Sequence, residues 1–124
     1  MSATHAHTDQ QFHVDVEPDR DIVHVRPRGD VDLASVGEIR ERFEELTALG
    51  FARLVLDLRG VTFLDSTGIR LVLELRESSR ADGWELGVVE GPACVQRVFE
   101  LTGIRPLVPF VELTGIRHSR WGSA

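Results

Sequence analysis

The feature that most constrains the fold is a short apolar run, residues 53–58, that stands between two helical patterns. A strand whose apolar residues are almost continuous is typical of a sheet covered on both faces or nearly so. Residues 34–49 before it repeat apolar side chains every three to four positions, and residues 65–81 after it carry too many for a narrow stripe, which predicts a largely buried helix. Strands that alternate with helices in this way predict an α/β fold with a mixed, mostly parallel sheet packed against helices.

The remaining elements follow from shorter patterns. Residues 12–16 and 22–26 favour a hairpin, because turn-forming residues separate two β-type runs. Residues 84–89 predict another strand, Pro92 opens a third helix that Gly103 ends, and residues 107–111 predict a last strand that Pro109 would confine to an edge. The predicted order is β-β-α-β-α-β-α-β, with four to five strands.

A chain of 124 residues fits one compact domain. We assign residues 1–10 to a disordered tail, 11–111 to the domain and 112–124 to a C-terminal tail. Glycines and serines in that last segment weaken the expectation of a final helix. A sheet edge left open there would favour self-association.

Charge and residue usage exclude several classes of function. The net charge is −6, which disfavours direct binding to nucleic acid. Lysine is absent, so chemistry that needs a lysine amine is excluded. Cys94 is the one cysteine, and neither a signal peptide nor a membrane-spanning run is visible, so we expect a cytoplasmic protein without membrane contact.

The most informative segment is the turn between residues 54–64 and the helix that follows. Asp65, Ser66, Thr67 and Gly68 stand where this helix should begin. Short polar side chains at such a position commonly cap the free backbone N–H groups of the first turn, and the same groups attract anions. On composition alone, an N-cap at Asp65 or Ser66 is the better explanation.

The sequence of the whole segment favours a more specific interpretation. Residues 22–104 resemble the STAS domain of bacterial anti-sigma factor antagonists in element order and in two motifs. The first motif is Gly-Asp-Val-Asp-Leu at residues 29–33, and the second runs from Leu54 to Ile69 with Leu-Asp-Ser-Thr-Gly at its end. The end of the third helix, Phe-Glu-Leu-Thr-Gly-Ile at residues 99–104, adds to the match.

The resemblance implies partner switching. In that family the serine after the aspartate, here Ser66, is phosphorylated by an anti-sigma factor that is itself a serine kinase. The unmodified antagonist binds this kinase and frees a sigma factor. The phosphorylated form releases the kinase, and a serine phosphatase removes the phosphate again. The protein would thus be a substrate and not an enzyme. A phosphate at a helix N-terminus is stabilised, so we expect the domain to stay folded when modified.

Five further residues enter the predicted partner-binding site with Ser66. Asp65 is either a helix cap or a contact for the kinase, and Thr67 is better explained as a cap than as a second phosphoacceptor. Asp32 either shapes the docking face or caps the helix near residue 34. Gly68 allows close approach or relieves strain, and Arg70 replaces a residue that is small in many relatives.

Competing interpretations are weaker. A STAS scaffold that is never phosphorylated, such as a subunit of a lipid-transport complex, is the main alternative.

Asp57 lies in a run similar to the phosphoacceptor strand of receiver domains. Because the chain has no lysine, we expect Asp57 to contact an arginine or a backbone N–H instead. The histidines lack metal-binding spacing, so no metal or cofactor is assigned. We expect His24 to be partly exposed, Cys94 to be buried, and no catalytic group to be present.

Overall fold

The computed structural model describes residues 12–113, and these form a five-stranded mixed sheet with helices packed against it. The elements occur in the following order: β1 (His13–Asp19), β2 (Ile22–Val31), α1 (Val36–Ala48), β3 (Arg53–Asp57), β4 (Val61–Leu64), α2 (Ser66–Asp82), β5 (Glu85–Val89), α3 (Ala93–Thr102) and a 3-10 turn (Arg105–Leu107). The predicted fold class is confirmed. Of the predicted tails, residues 1–10 and all of residues 112–124 except the first two lie outside the described residues.

Strand β2 organises the sheet, because it is long enough to pair with three other strands. Its residues 22–28 run antiparallel to the whole of β1, and its first half pairs in parallel with β3. Its last residues pair in parallel with β4, and the register shifts at Gly29, whose φ of 114° is a left-handed value that favours glycine. Beyond β3 the sheet ends with β5, giving the order β1-β2-β3-β5 with β4 beside the end of β2.

The main core lies between one face of this sheet and the helices. Val36, Ile39, Phe43 and Leu46 supply the buried face of α1, as the sequence pattern predicted. Trp84 is buried and its ring centroid lies 5.9 Å from that of Phe43. A smaller cluster of Ile22, Val55 and Val89 on the other face packs against Val111 and Leu113. The central strand is thus covered on both faces, which explains its continuous apolar run.

Two details differ from the predicted order. Residues 61–64, which the sequence left unassigned, form β4 because the end of β2 extends past β3 and offers backbone groups for pairing. The predicted last strand is a single parallel bridge between Val88 and Phe110, preceded by the 3-10 turn. Pro109 donates no backbone hydrogen bond, which is consistent with so short a pairing.

Candidate functional site

The candidate site is the turn from β4 into α2, and its backbone is tied to the neighbouring strand. The N–H of Asp65 donates to the carbonyl of Val31, the last residue of β2, over 3.3 Å. Asp65 itself is extended, with φ −107° and ψ −168°, and Ser66 is the first helical residue. The pairing of β4 with the end of β2 therefore sets the position of Ser66.

Asp65 caps the helix. One of its carboxylate oxygens, Oδ1, accepts hydrogen bonds from the backbone N–H of Thr67 (2.9 Å) and of Gly68 (3.3 Å). Asp65 and Thr67 are half-buried, whereas Ser66 is exposed. The capping role, one of the two interpretations that the sequence left open, is thus observed, and Ser66 itself is exposed.

Gly68 is where the first turn of α2 packs most closely on the structure beneath it. A Cβ atom on Gly68 would lie 2.8 Å from Cγ of Leu64 and 3.0 Å from Cγ1 of Val31. Since Gly68 is buried, its role is to let the helix start close to β2 and β4. A larger residue here would fit only if the side chains of Leu64 and Val31 moved.

The loop after β2 is held by its own acidic residues. Oδ1 of Asp32 accepts from the backbone N–H of Ala34 (3.0 Å), and the hydroxyl of Ser35 donates to the carbonyl of Asp30 (2.7 Å). Oδ1 of Asp30 in turn accepts from the hydroxyl of Thr62 on β4 (2.7 Å). Asp32 therefore organises the turn that leads into α1, which begins at Val36, two residues later than the sequence indicated.

Two apolar residues beside the site were missed by sequence reasoning. The loop after β2 carries Leu33, which is 80% exposed, and β4 carries Phe63, which is 50% exposed. Both segments adjoin the turn that holds Ser66, on the β2 and the β4 side. Leu33 is an apolar residue in a loop that is otherwise expected to be polar, and this could have indicated its role from the sequence. Arg70 is also exposed, on α2.

Asp57 serves the structure. It is 2% exposed, and Arg59 donates to it from Nε (3.0 Å to Oδ1) and from its backbone N–H (3.1 Å), while Nε of Arg26 lies 3.2 Å from Oδ2. Burial by itself would raise the pKa of Asp57, but these hydrogen bonds and the charge of Arg59 outweigh burial and hold the pKa below its ordinary value. The predicted partners of Asp57, an arginine and a backbone N–H, are both confirmed.

Two expectations about single residues are wrong. His24 is 5% exposed, because both faces of the sheet are covered, and its buried Nδ1 has no hydrogen-bond partner. Cys94 is exposed near the start of α3, with Sγ 3.7 Å from the carbonyl of Thr62. Within residues 12–113, no group of three or more histidine, cysteine, aspartate or glutamate side chains could hold a metal ion.

The fold and the site define the class of protein. Residues 13–115 match the model of the STAS domain, and the chain belongs to that family. Over 97 residues it is 26% identical to the anti-sigma-B factor antagonist of Bacillus subtilis (strain 168), covering 78% of this chain and 88% of that protein. The STAS domain that the two motifs predicted is thus confirmed, and this relative is named as an anti-sigma factor antagonist.

Solved structures share the fold. The crystal structure of an anti-sigma factor antagonist from Mycobacterium paratuberculosis superposes with a TM-score of 0.74 at 24% identity, covering 86% of this chain and 94% of that one. A Bacillus cell fate determinant, SpoIIAA in its phosphorylated form, gives a TM-score of 0.62 at 20% identity, covering 86% and 96%. No helix in the described part of the chain is long and apolar enough to cross a membrane.

Proposed function

We propose that this protein is an anti-sigma factor antagonist that works by partner switching, with Ser66 as the phosphorylated residue. The observation that carries the proposal is that Ser66 is exposed on a backbone held by Asp65 and by the close packing at Gly68. A kinase needs a reachable hydroxyl, and a backbone held in this way presents that hydroxyl in a defined position. Sigma factors act in the cytoplasm, so the proposal places the protein there.

The proposed modification is an ordinary phosphoryl transfer. The hydroxyl oxygen of Ser66 forms a bond to the γ-phosphorus of ATP held by the anti-sigma factor, the bond to ADP breaks, and a base of the kinase takes the hydroxyl proton. A serine phosphatase reverses the modification by hydrolysis, releasing inorganic phosphate. The antagonist supplies only the nucleophilic oxygen and the surface that the kinase grips.

Charge at this surface explains how one phosphate could release the partner. Asp30, Asp32 and Asp65 already stand on the two segments around Ser66, and a phosphate adds about −1.5 to −2 charges. Converting a complex from nearly all bound to nearly all free needs about 5.5 kcal/mol of differential affinity. A phosphate that is desolvated against a partner offering it no positive group costs several kcal/mol, which is of that order.

Leu33 and Phe63 suit the unmodified state of the same surface. Exposed apolar side chains beside a polar turn are typical of a protein interface, where they become the dry centre. We therefore include them with Asp32, Asp65, Ser66, Thr67 and Arg70 in the proposed partner-binding surface. Gly68 contributes by letting the turn sit against Val31 and Leu64, not by presenting a side chain.

Two measurements test the proposal. Mass spectrometry of the protein from its native cell should find a phosphate on the peptide that contains Ser66, and Thr67→Ala should keep it while Ser66→Ala loses it. With the cognate kinase, Ser66→Ala should bind and Ser66→Asp should bind weakly. Ala52→Asp adds the same charge to an exposed position at the start of β3, outside the site, and should bind like the unmodified protein. Equal affinity of Ser66→Ala and Ser66→Asp would refute the proposal.

A further inference from the structure

Arg70 stands one helical turn after Ser66 on α2. Residues four apart on a helix lie on the same face, with their Cβ atoms about 5–6 Å apart. Arg70 is exposed and forms no ion pair with the residues described, 12–113. It is also the first basic residue after Arg59 in the sequence. The two segments around Ser66, residues 29–34 and 61–69, contain no basic residue.

The backbone N–H groups that could stabilise a phosphate on Ser66 already have another acceptor. Phosphates at helix N-termini are normally held by the free backbone N–H groups of the first turn. Here the N–H groups of Thr67 and Gly68 already donate to the carboxylate of Asp65. A phosphate would thus arrive beside an occupied cap and a negative carboxylate.

We infer that Arg70 is the intramolecular counter-ion of a phosphate on Ser66. The inference rests on the proposed function, because it names what stabilises the modified state of the same site. An acid placed four residues before a base is the favourable order for such a pair on a helix. The planar guanidinium fork matches the oxygens of a phosphate and binds them in a bidentate way.

This pairing would sharpen the switch. In the unmodified protein the guanidinium of Arg70 is free to meet an acidic group of the partner. Phosphorylation draws it back toward Ser66, so the surface loses a positive charge at the moment when it gains a negative one. One modification then changes two features that the partner recognises.

The test installs the phosphate without any kinase. Full-length protein is made with phosphoserine incorporated at position 66 during translation, in the wild-type background and with Arg70→Gln. The 31P NMR signal is titrated from about pH 5 to 8, which spans the second ionisation of phosphoserine. A guanidinium beside the phosphate favours the dianion, so Arg70→Gln should bind the proton about two-fold more tightly.

Two controls identify the cause. Arg80→Gln removes an exposed arginine from the last turn of the same helix and should leave the titration as in the wild type. Arg70→Lys keeps the charge and should keep most of the effect. Identical titrations of the wild-type and Arg70→Gln phosphoproteins would overturn the inference. Because the phosphate is placed synthetically, this result is independent of whether the cell phosphorylates Ser66, which mass spectrometry decides separately.

Discussion

Oδ1 of Asp65 lies 2.9 Å from the backbone nitrogen of Thr67 and accepts its hydrogen bond across the residue proposed to carry the phosphate. The two residues thus bracket Ser66 and hold its backbone, while its side chain stays exposed. Asp65 therefore caps the helix, while Ser66 remains available for the proposed phosphorylation. A charge can be added to Ser66 without removing the cap.

The cap leads to the first prediction. Replacing Asp65 by alanine should lower the free energy of unfolding by about 1 kcal/mol, because two N–H groups of the first turn lose their acceptor. Asp65→Asn should keep most of that stability, since asparagine caps about as well as aspartate. Urea unfolding at neutral pH measures both. If Asp65→Ala unfolds like the wild type, the cap contributes nothing and this explanation is wrong.

The packing at Gly68 leads to the second prediction. Gly68→Ala should destabilise the protein by about 1–3 kcal/mol, because the new methyl group would overlap Leu64 and Val31. Gly37→Ala is the matched control on α1, where a Cβ meets nothing within 4 Å. It should stabilise by about 0.5–1 kcal/mol through helix propensity. Equal effects of the two variants in thermal or urea unfolding would contradict the packing argument.

Buried His24 leads to a prediction on pH. Burial lowers the pKa of His24, and the charge of Arg26 lowers it further, against smaller opposing effects of Asp19, Asp57 and Glu17. The unfolded chain therefore binds the proton more readily than the folded one. The contribution to stability is complete above the ordinary pKa of histidine and is lost as the pH falls through the lowered value.

The unfolding free energy should accordingly decrease between about pH 7 and 5, and less so in His24→Gln. Urea unfolding at several pH values measures the decrease, and NMR titration of the His24 ring locates its pKa directly. A ring that titrates at or above the ordinary value of histidine would disprove the prediction.

The exposed apolar residues lead to the last prediction, which concerns binding. Leu33→Ala and Phe63→Ala should each weaken binding to the cognate anti-sigma factor about ten-fold, as expected for apolar residues at the centre of an interface. Leu49→Ala is the matched control, because Leu49 is 74% exposed after the end of α1, away from the Ser66 turn. Calorimetric titration measures the three affinities. Similar losses for Leu33 and Leu49 would place the interface elsewhere.

Several features could be read from the sequence because their causes are local. The buried face of α1 follows from apolar residues three and four positions apart, and the end of α3 follows from Gly103, whose φ is 74°. The position of Ser66 at the start of α2 was predicted from Asp65 and the pattern that follows. In each case the determining residues lie within one or two turns of each other.

Other features depended on contacts between distant segments. Phe63 lies in a strand only because β4 pairs with the far end of β2, and His24 is buried only because both faces of β2 are covered. Cys94 was expected to be buried near the start of its helix. It is exposed because the buried residues of α3 are Val95 and Phe99.

The sequence by itself determined the order of helices and strands, the family and the serine at the head of α2, since period, turn chemistry and motif are written in neighbouring residues. Tertiary structure alone decided that the turn before α2 is tied to Val31 of β2 and that Leu33 and Phe63 are exposed beside it. These features depend on the pairing of β2 with β4, two segments some 30 residues apart in the chain, and that pairing becomes defined only when the sheet is assembled.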